Sequence, residues 1–123
     1  MKSLLLVAHG SRRAESNDEV RQLARQLDKQ GNGEFGLVAC AFLELAEPSI
    51  PDGLRAAIRA GATEVTVLPY FLSAGRHVVT DIPAEVNIIR AESPEVEMVL
   101  ARYLGASPDV VELLLELASR RDG

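Results

Sequence analysis

A chain of 123 residues has room for one domain around one core, since at this size folding buries roughly two thirds of the surface the unfolded chain exposes. A formal charge of -5 and an isoelectric point near 5.0 exclude nucleic acid and anionic membrane surfaces as main partners, because no basic surplus exists to neutralise phosphates. The single cysteine, Cys40, excludes an internal disulfide, an iron–sulfur cluster and a structural zinc site built on several thiolates.

Four short apolar runs begin near Leu4, Leu37, Val65 and Val96, at spacings of 33, 28 and 31 residues, the length of a strand–helix unit. The first three are nearly continuously apolar, as parallel strands covered on both faces are. The fourth, Val96 to Ala101, is weaker and suits an edge. After the first run, Val20, Leu23, Ala24 and Leu27 recur at helical spacing behind Ser16 and Glu19, which have capping-box spacing and predict a first helix. Ser49 and Pro51 open a second, carrying Leu54, Ala57 and Ile58 and stopping at Gly61. A third is expected over Asp81 to Arg90 with Pro83 in its first turn, where proline does not break a helix, and Ser107-Pro108 opens a fourth. Strands alternating with helices through right-handed crossovers predict an α/β fold. The expectation is a three-layer α/β/α sandwich around a four-stranded parallel sheet, in the flavodoxin-like order 2-1-3-4, as a single domain over 1–123. No apolar stretch reaches the length of a membrane span and the N-terminus lacks a secretory cleavage pattern, so a cytoplasmic location is expected.

Both histidines of the chain, His9 and His77, sit just past an apolar run. His9-Gly10-Ser11-Arg12-Arg13 links the first strand to the first helix. Two readings are open: the strand ends at His9, Gly10 turns and Ser11 caps the helix, or the segment points backbone amides and an imidazole at a ligand. Phe42-Leu43-Glu44-Leu45-Ala46-Glu47 follows the second strand. Glu44, between two leucines, is a candidate to hold a cation or take a proton, whereas Glu47 suits a helix N-terminus through the dipole. Pro69-Tyr70-Phe71-Leu72-Ser73-Ala74-Gly75-Arg76-His77 follows the third strand and gathers two of the five aromatic residues beside a glycine, an arginine and a histidine. It reads either as a binding wall or as a strand end packing beneath the third helix. Cys40, inside Leu37 to Phe42, reads as a small buried side chain.

Parallel connectivity brings the ends of the first three strands to one sheet edge, where α/β proteins expose their ligand crevice. His9, Glu44 and His77 are then expected to converge although 68 residues separate the two histidines. Two imidazoles with one carboxylate suit divalent cobalt, nickel, iron or zinc, and the lack of a nearby thiolate disfavours softer metals.

With these segments in view, the chain resembles the small, CbiX-like class of sirohydrochlorin chelatases, relatives of the cobaltochelatases and ferrochelatases. The resemblance rests on His9-Gly10-Ser11-Arg12, on Phe42-x-Glu44 with Pro48, and on Gly75-x-His77-x-x-x-Asp81-Ile82-Pro83, the most specific of the three. It implies insertion of cobalt(II), or ferrous iron, into sirohydrochlorin without a nucleotide, with His9 and His77 as metal ligands. The incoming ion displaces two pyrrole protons, so the site needs bases beside it, and His9, His77 and Glu44 are the acceptors expected. Nickel or zinc would be accepted in vitro. Arg12, Arg13 and Arg76 would meet the substrate's carboxylates, with Gly10, Ser11 and Gly75 beside them, while Tyr70, Phe71 and Leu72 would face the ring. Larger relatives have two such domains across a cleft, so one domain implies a homodimer.

Two other function classes compete. A non-catalytic tetrapyrrole- or metal-binding protein could use the same fold. A histidine-phosphatase type needs Arg-His-Gly where this chain has Ala8-His9-Gly10, and neither a serine elbow nor a nucleotide-binding glycine loop occurs.

Overall fold

The computed structural model describes residues 1–120. Its strands are β1 (Lys2–Ala8), β2 (Leu37–Phe42), β3 (Glu64–Pro69) and β4 (Glu97–Leu100), and its helices are α1 (Ala14–Gln30), α2 (Ile50–Arg59), α3 (Ile82–Glu92) and α4 (Asp109–Ser119). All pairings are parallel in the order β2-β1-β3-β4, with β4 at the edge, as the spacing of the apolar runs predicts. Among the described residues no helix is long and apolar enough to cross a membrane.

The α2 and α3 side of the sheet holds most of the core. Leu5, Val7, Val65 and Val67 meet Ile50, Leu54 and Ala57 of α2 and Ile82, Val86 and Ile89 of α3, all 2 % exposed or less. The helical residues recur every three or four positions, which places them on one face. Gly53 lets α2 approach closely: a Cβ there would stand 3.1 Å from the Ala41 Cβ. On the opposite side, α1 lays Val20, flanked by the half-buried Leu23 and Leu27, over Leu6, Ala8 and Phe42. β1, at the centre, is therefore buried on both faces. β3 alternates instead, with Val65, Val67 and Pro69 buried and Glu64, Thr66 and Leu68 only half-buried.

That alternation has a cause. No residue of α4 is buried, and Val111, Leu113, Leu114, Leu115 and Leu117 are each more than half exposed. Between α1 and β3 the sheet is left with an apolar hollow of about 330 Å³, lined by Leu6, Leu23, Leu27, Leu68, Pro69, Tyr70 and Leu104.

Helix starts follow the sequence at α2 and depart from it at α1. Ser49 Oγ accepts from the Asp52 amide, and α2 ends at Ala60 with Gly61 at φ 106°. The capping box expected at Ser16 and Glu19 does not form. The helix has already begun at Ala14, with Arg13 at the N-cap, and the Ser16 amide donates to the Arg13 carbonyl. The buried side chain of Asn17 takes over the anchoring, accepting from the Ser11 amide at 2.9 Å and donating to the Ser11 carbonyl at 2.8 Å. Ser11 Oγ accepts from the Arg13 amide, outside the helix.

Candidate active site

The register of the sheet decides where the candidate residues end. Ala8 is paired with Phe42 and Val7 with Pro69, so the chain leaves β1, β2 and β3 at one level. Pairing continues past the strands: the Leu43 amide donates to Ala8, the Glu44 amide to His9 and the Tyr70 amide to Val7. Glu44 is thereby aligned with His9.

Gly10 makes this close approach possible. Its φ is 96°, a region that side chains strain to enter, and a Cβ would lie 1.7 Å from the Glu44 carbonyl oxygen. The backbone after β1 thus presses directly on the backbone after β2. The next residue, Leu45, holds φ 68°, a left-handed conformation that costs a non-glycine residue about 1 kcal/mol or more. Arg21 of α1 braces the same loop, donating to the Glu47 carbonyl at 2.9 Å with its guanidinium over the Phe42 ring.

His77 arrives by a different route. Residues His77–Asp81 form a π-helical turn continuous with α3, closed by the Ile82 amide donating to the His77 carbonyl. Pro83 explains the widening. Its ring would collide with the carbonyl four residues back if the α-helix continued upstream, so the preceding turn opens by one residue. Pro83 itself sits in the first turn of α3, as expected.

The two imidazoles meet edge to face with centroids 4.6 Å apart. Their hydrogen bonds differ. His9 Nδ1 lies 3.0 Å from the Gly10 carbonyl, which can only accept, and His9 Nε2 lies 3.1 Å from Glu44 Oε1. With Nδ1 on the Gly10 carbonyl, Nε2 is the ring nitrogen that faces the carboxylate. His9 and Glu44 are an imidazole–carboxylate pair. His77 Nδ1 lies 2.9 Å from Asp81 Oδ2, and among the described residues no protein group bonds its Nε2.

A cleft of about 330 Å³ opens beside them, lined by Leu43, Glu44, His77, Asp81, Ala84, Glu85 and Ile88. Three carboxylates and the His77 imidazole line it, with His9 adjoining, and give the field a divalent cation would seek. Among the described residues no three His, Cys, Asp or Glu side chains form a closed metal cage. Burial pushes the Cys40 thiol up despite Arg21 and Arg25, and the side chain, half-buried rather than buried as expected, packs against the α1 cluster and not in the cleft.

The remaining candidates are more scattered. Arg76 is exposed, its Nε 3.8 Å from Asp81 Oδ1 at the cleft rim, whereas Arg13 pairs with Glu15. Arg12 is exposed at the turn into α1. Tyr70 and Leu72 line hollows with Leu104 rather than the histidine cleft, and Phe71 also packs on the α2/α3 core. Sequence reasoning misses Asp81 as a partner of His77, and Glu85 as cleft lining. The signal is present, since His77, Asp81 and Glu85 follow one another at intervals of four residues, one face of a helix.

The CbiX family model matches residues 3–121. A sirohydrochlorin ferrochelatase of Priestia megaterium is 33 % identical over 116 residues, which cover 94 % of this chain and 43 % of that protein. A sirohydrochlorin cobaltochelatase of Sulfolobus acidocaldarius is 32 % identical over 120 residues, covering 98 % of this chain and 92 % of that protein. The sirohydrochlorin chelatase SirB of Bacillus subtilis subspecies spizizenii, solved in complex with cobalt, superposes with a TM-score of 0.83 at 27 % identity. That match covers 94 % of this chain and 48 % of SirB. The chain thus spans about half the length of SirB and of the bacterial ferrochelatase, and nearly all of the archaeal enzyme.

Proposed function

The chain belongs to the CbiX family, and on that premise we propose that it inserts a divalent metal, cobalt(II) or ferrous iron, into sirohydrochlorin without ATP, in cobalamin or siroheme synthesis. The domain 1–123 supplies one wall of the site. The observation that carries the reading is the unequal pair of histidines: His77 offers a bare Nε2, while His9 turns its Nε2 to the Glu44 carboxylate at 3.1 Å.

Insertion requires both properties. The ion must be held by few protein ligands, because a closed cage would compete with the four nitrogens of the macrocycle, and two pyrrole protons must leave. His77 is the metal ligand that needs no prior deprotonation. His9 becomes the second ligand through Nε2, any proton there passing by way of Glu44 to water, and the Glu44 carboxylate then takes the two pyrrole protons in turn and releases each to water. Arg12, Arg13 and Arg76, with Gly10, Ser11 and Gly75 beside them, receive the peripheral carboxylates. Leu43, Ala84 and Ile88 of the cleft provide apolar surface for the ring edge, the place expected of Tyr70, Phe71 and Leu72, which line hollows with Leu104 instead. Nickel and zinc suit the same donors in vitro. No step calls for a nucleotide or an iron–sulfur cluster.

Mixing the protein with sirohydrochlorin and cobalt(II) or ferrous iron should accelerate the spectral change of metallation over the uncatalysed rate. His9→Ala and His77→Ala should each remove most of that acceleration while the circular dichroism stays unchanged. No acceleration with either ion, with tight cobalt binding retained, would instead make this a metal-binding protein on a chelatase fold.

The working form proposed is a cytoplasmic homodimer. Its support is the pairing within one chain of an apolar helix without a seat, α4, and an apolar hollow without a cover, between α1 and β3. Reciprocal exchange of α4 between two copies buries two helix faces and two hollows, towards the roughly 1,600 Å² of a standard interface. Light scattering should give twice the 13.3 kDa of one chain, and Leu114→Glu should halve it. Particles of one chain at every concentration would sink the dimer.

A further inference from the structure

Asp81 lies four residues after His77, across the π-helical turn, with its Oδ2 2.9 Å from His77 Nδ1. An ionised carboxylate only accepts, so the shared hydrogen belongs to Nδ1 and the lone pair of the neutral ring is left on Nε2. The other carboxylate oxygen, Oδ1, faces Arg76 Nε at 3.8 Å. Both oxygens of Asp81 are thus turned to protein partners. We propose that Asp81 is a positioning residue that fixes His77 in the Nδ1–H tautomer and aims its Nε2 at the incoming ion, without itself ligating the metal.

The contrast with His9 supports this role. There the orienting acceptor is a backbone carbonyl, and the carboxylate, Glu44, sits on Nε2, where a metal would have to displace that contact. At His77 the carboxylate sits on the far nitrogen instead, leaving Nε2 bare. A carboxylate on that nitrogen also raises the basicity of the imidazole as a ligand. Metal capture should therefore begin at His77.

The proposal rests on His77 being a metal ligand, and its test does not depend on turnover. Long-range proton–nitrogen correlation spectra of the metal-free protein report which ring nitrogen carries hydrogen, and with two histidines in the chain a His9→Gln variant assigns the signals by subtraction. In the wild type at a pH where the rings are neutral, His77 should carry hydrogen on Nδ1. Asp81→Ala should mix the tautomers and raise the cobalt(II) dissociation constant about 10- to 100-fold. Asp81→Asn, whose amide oxygen can still accept, should keep the tautomer and lose less affinity. It also carries the test if the alanine variant fails to fold, as judged by circular dichroism and the His9 signals. A wild-type His77 protonated on Nε2, or an alanine variant with unchanged tautomer and cobalt affinity, would overturn the proposal. So would an asparagine variant that keeps the tautomer yet loses cobalt entirely, since the carboxylate would then be the ligand. If the wild type fails to metallate sirohydrochlorin while tautomer and cobalt affinity respond as expected, the chelatase reading falls and the role of Asp81 stands.

Discussion

His9 and His77 reach the cleft from segments built on different principles. The segment after β1 is held chiefly by backbone, whose carbonyls accept from the chain after β2 while Gly10 presses on Glu44, and the Asn17 side chain adds two bonds to Ser11. The segment before α3 is held by side chains, with Asp81 orienting His77 on an exposed turn and no heavy atom within 4 Å of where a Gly75 Cβ would stand. Backbone contacts tolerate no insertion of atoms, whereas side-chain contacts can be retuned one at a time. His9 with Glu44 is therefore the fixed member of the site, and His77, the ligand proposed to meet the metal first, is the adjustable one.

The sharpest way to break this contrast is Gly10→Ala. The new Cβ would be driven to 1.7 Å from a carbonyl oxygen at a φ of 96°, so the Glu44 backbone must move and His9 must lose its partner. A destabilisation of about 3 to 5 kcal/mol is expected, read as a fall in the urea midpoint. Cobalt binding should weaken with it. A variant within about 1 kcal/mol of wild type, on the order of a mild surface change, would show that the two loops are not locked together.

The same difference governs how much of the molecule is legible in its sequence. Backbone-determined features are legible: four apolar runs at strand–helix spacing specify a parallel sheet, and a parallel sheet puts the residues after Ala8, Phe42 and Pro69 on one edge. Gly10 reads as a turn, yet nothing local to it says that Glu44, 34 residues on, lies against it. Features set by individual side chains are not legible. Ser16 and Glu19 have the spacing of a capping box, but Asn17 offers the Ser11 loop two hydrogen bonds at once, and the helix starts earlier. The α4 sequence is apolar enough to cover the sheet, and its departure depends on the path of the chain after β4. There the Gly105 amide donates to the Phe71 carbonyl, and the backbone passes so near Leu72 that a Cβ on Gly105 would collide with it.

A milder test sits on the helical half, where α3 is tied to α2 by Arg55. Its Nη2 and Nε donate to the two oxygens of Glu92 at 2.6 and 3.0 Å, and its Nη1 to Asp52 at 3.0 Å. The hydrogen bonds from Arg55 pull the Glu92 carboxyl below its ordinary range, and the guanidinium itself is pushed further up, so it stays charged throughout. A carboxyl depressed by folding stabilises the protein above its unfolded pKa and loses that contribution as pH falls through its folded value. Glu92→Gln should therefore lower the melting temperature slightly at pH 7, and the gap to wild type should close on acidification. Because the pair is solvent-exposed, the effect should also shrink in high salt. A gap that persists at low pH would mean that Glu92 acts by packing rather than charge.

The smallest expected effect is at Gly75, and it is the counterpart of the largest. Gly75 accepts through its carbonyl from the Val78 and Val79 amides, bonds that alanine would keep, and its φ lies outside the left-handed region. With open space where the methyl would go, Gly75→Ala should change the unfolding free energy by no more than about 0.5 kcal/mol, as surface substitutions generally do. The sign is informative. Alanine restricts the unfolded chain more than glycine does, so a small gain in the urea midpoint is expected if the native turn accepts it unchanged. A loss approaching that of Gly10→Ala would show that the turn before His77 is held as rigidly as the one after His9, and the two halves of the site would then be built alike.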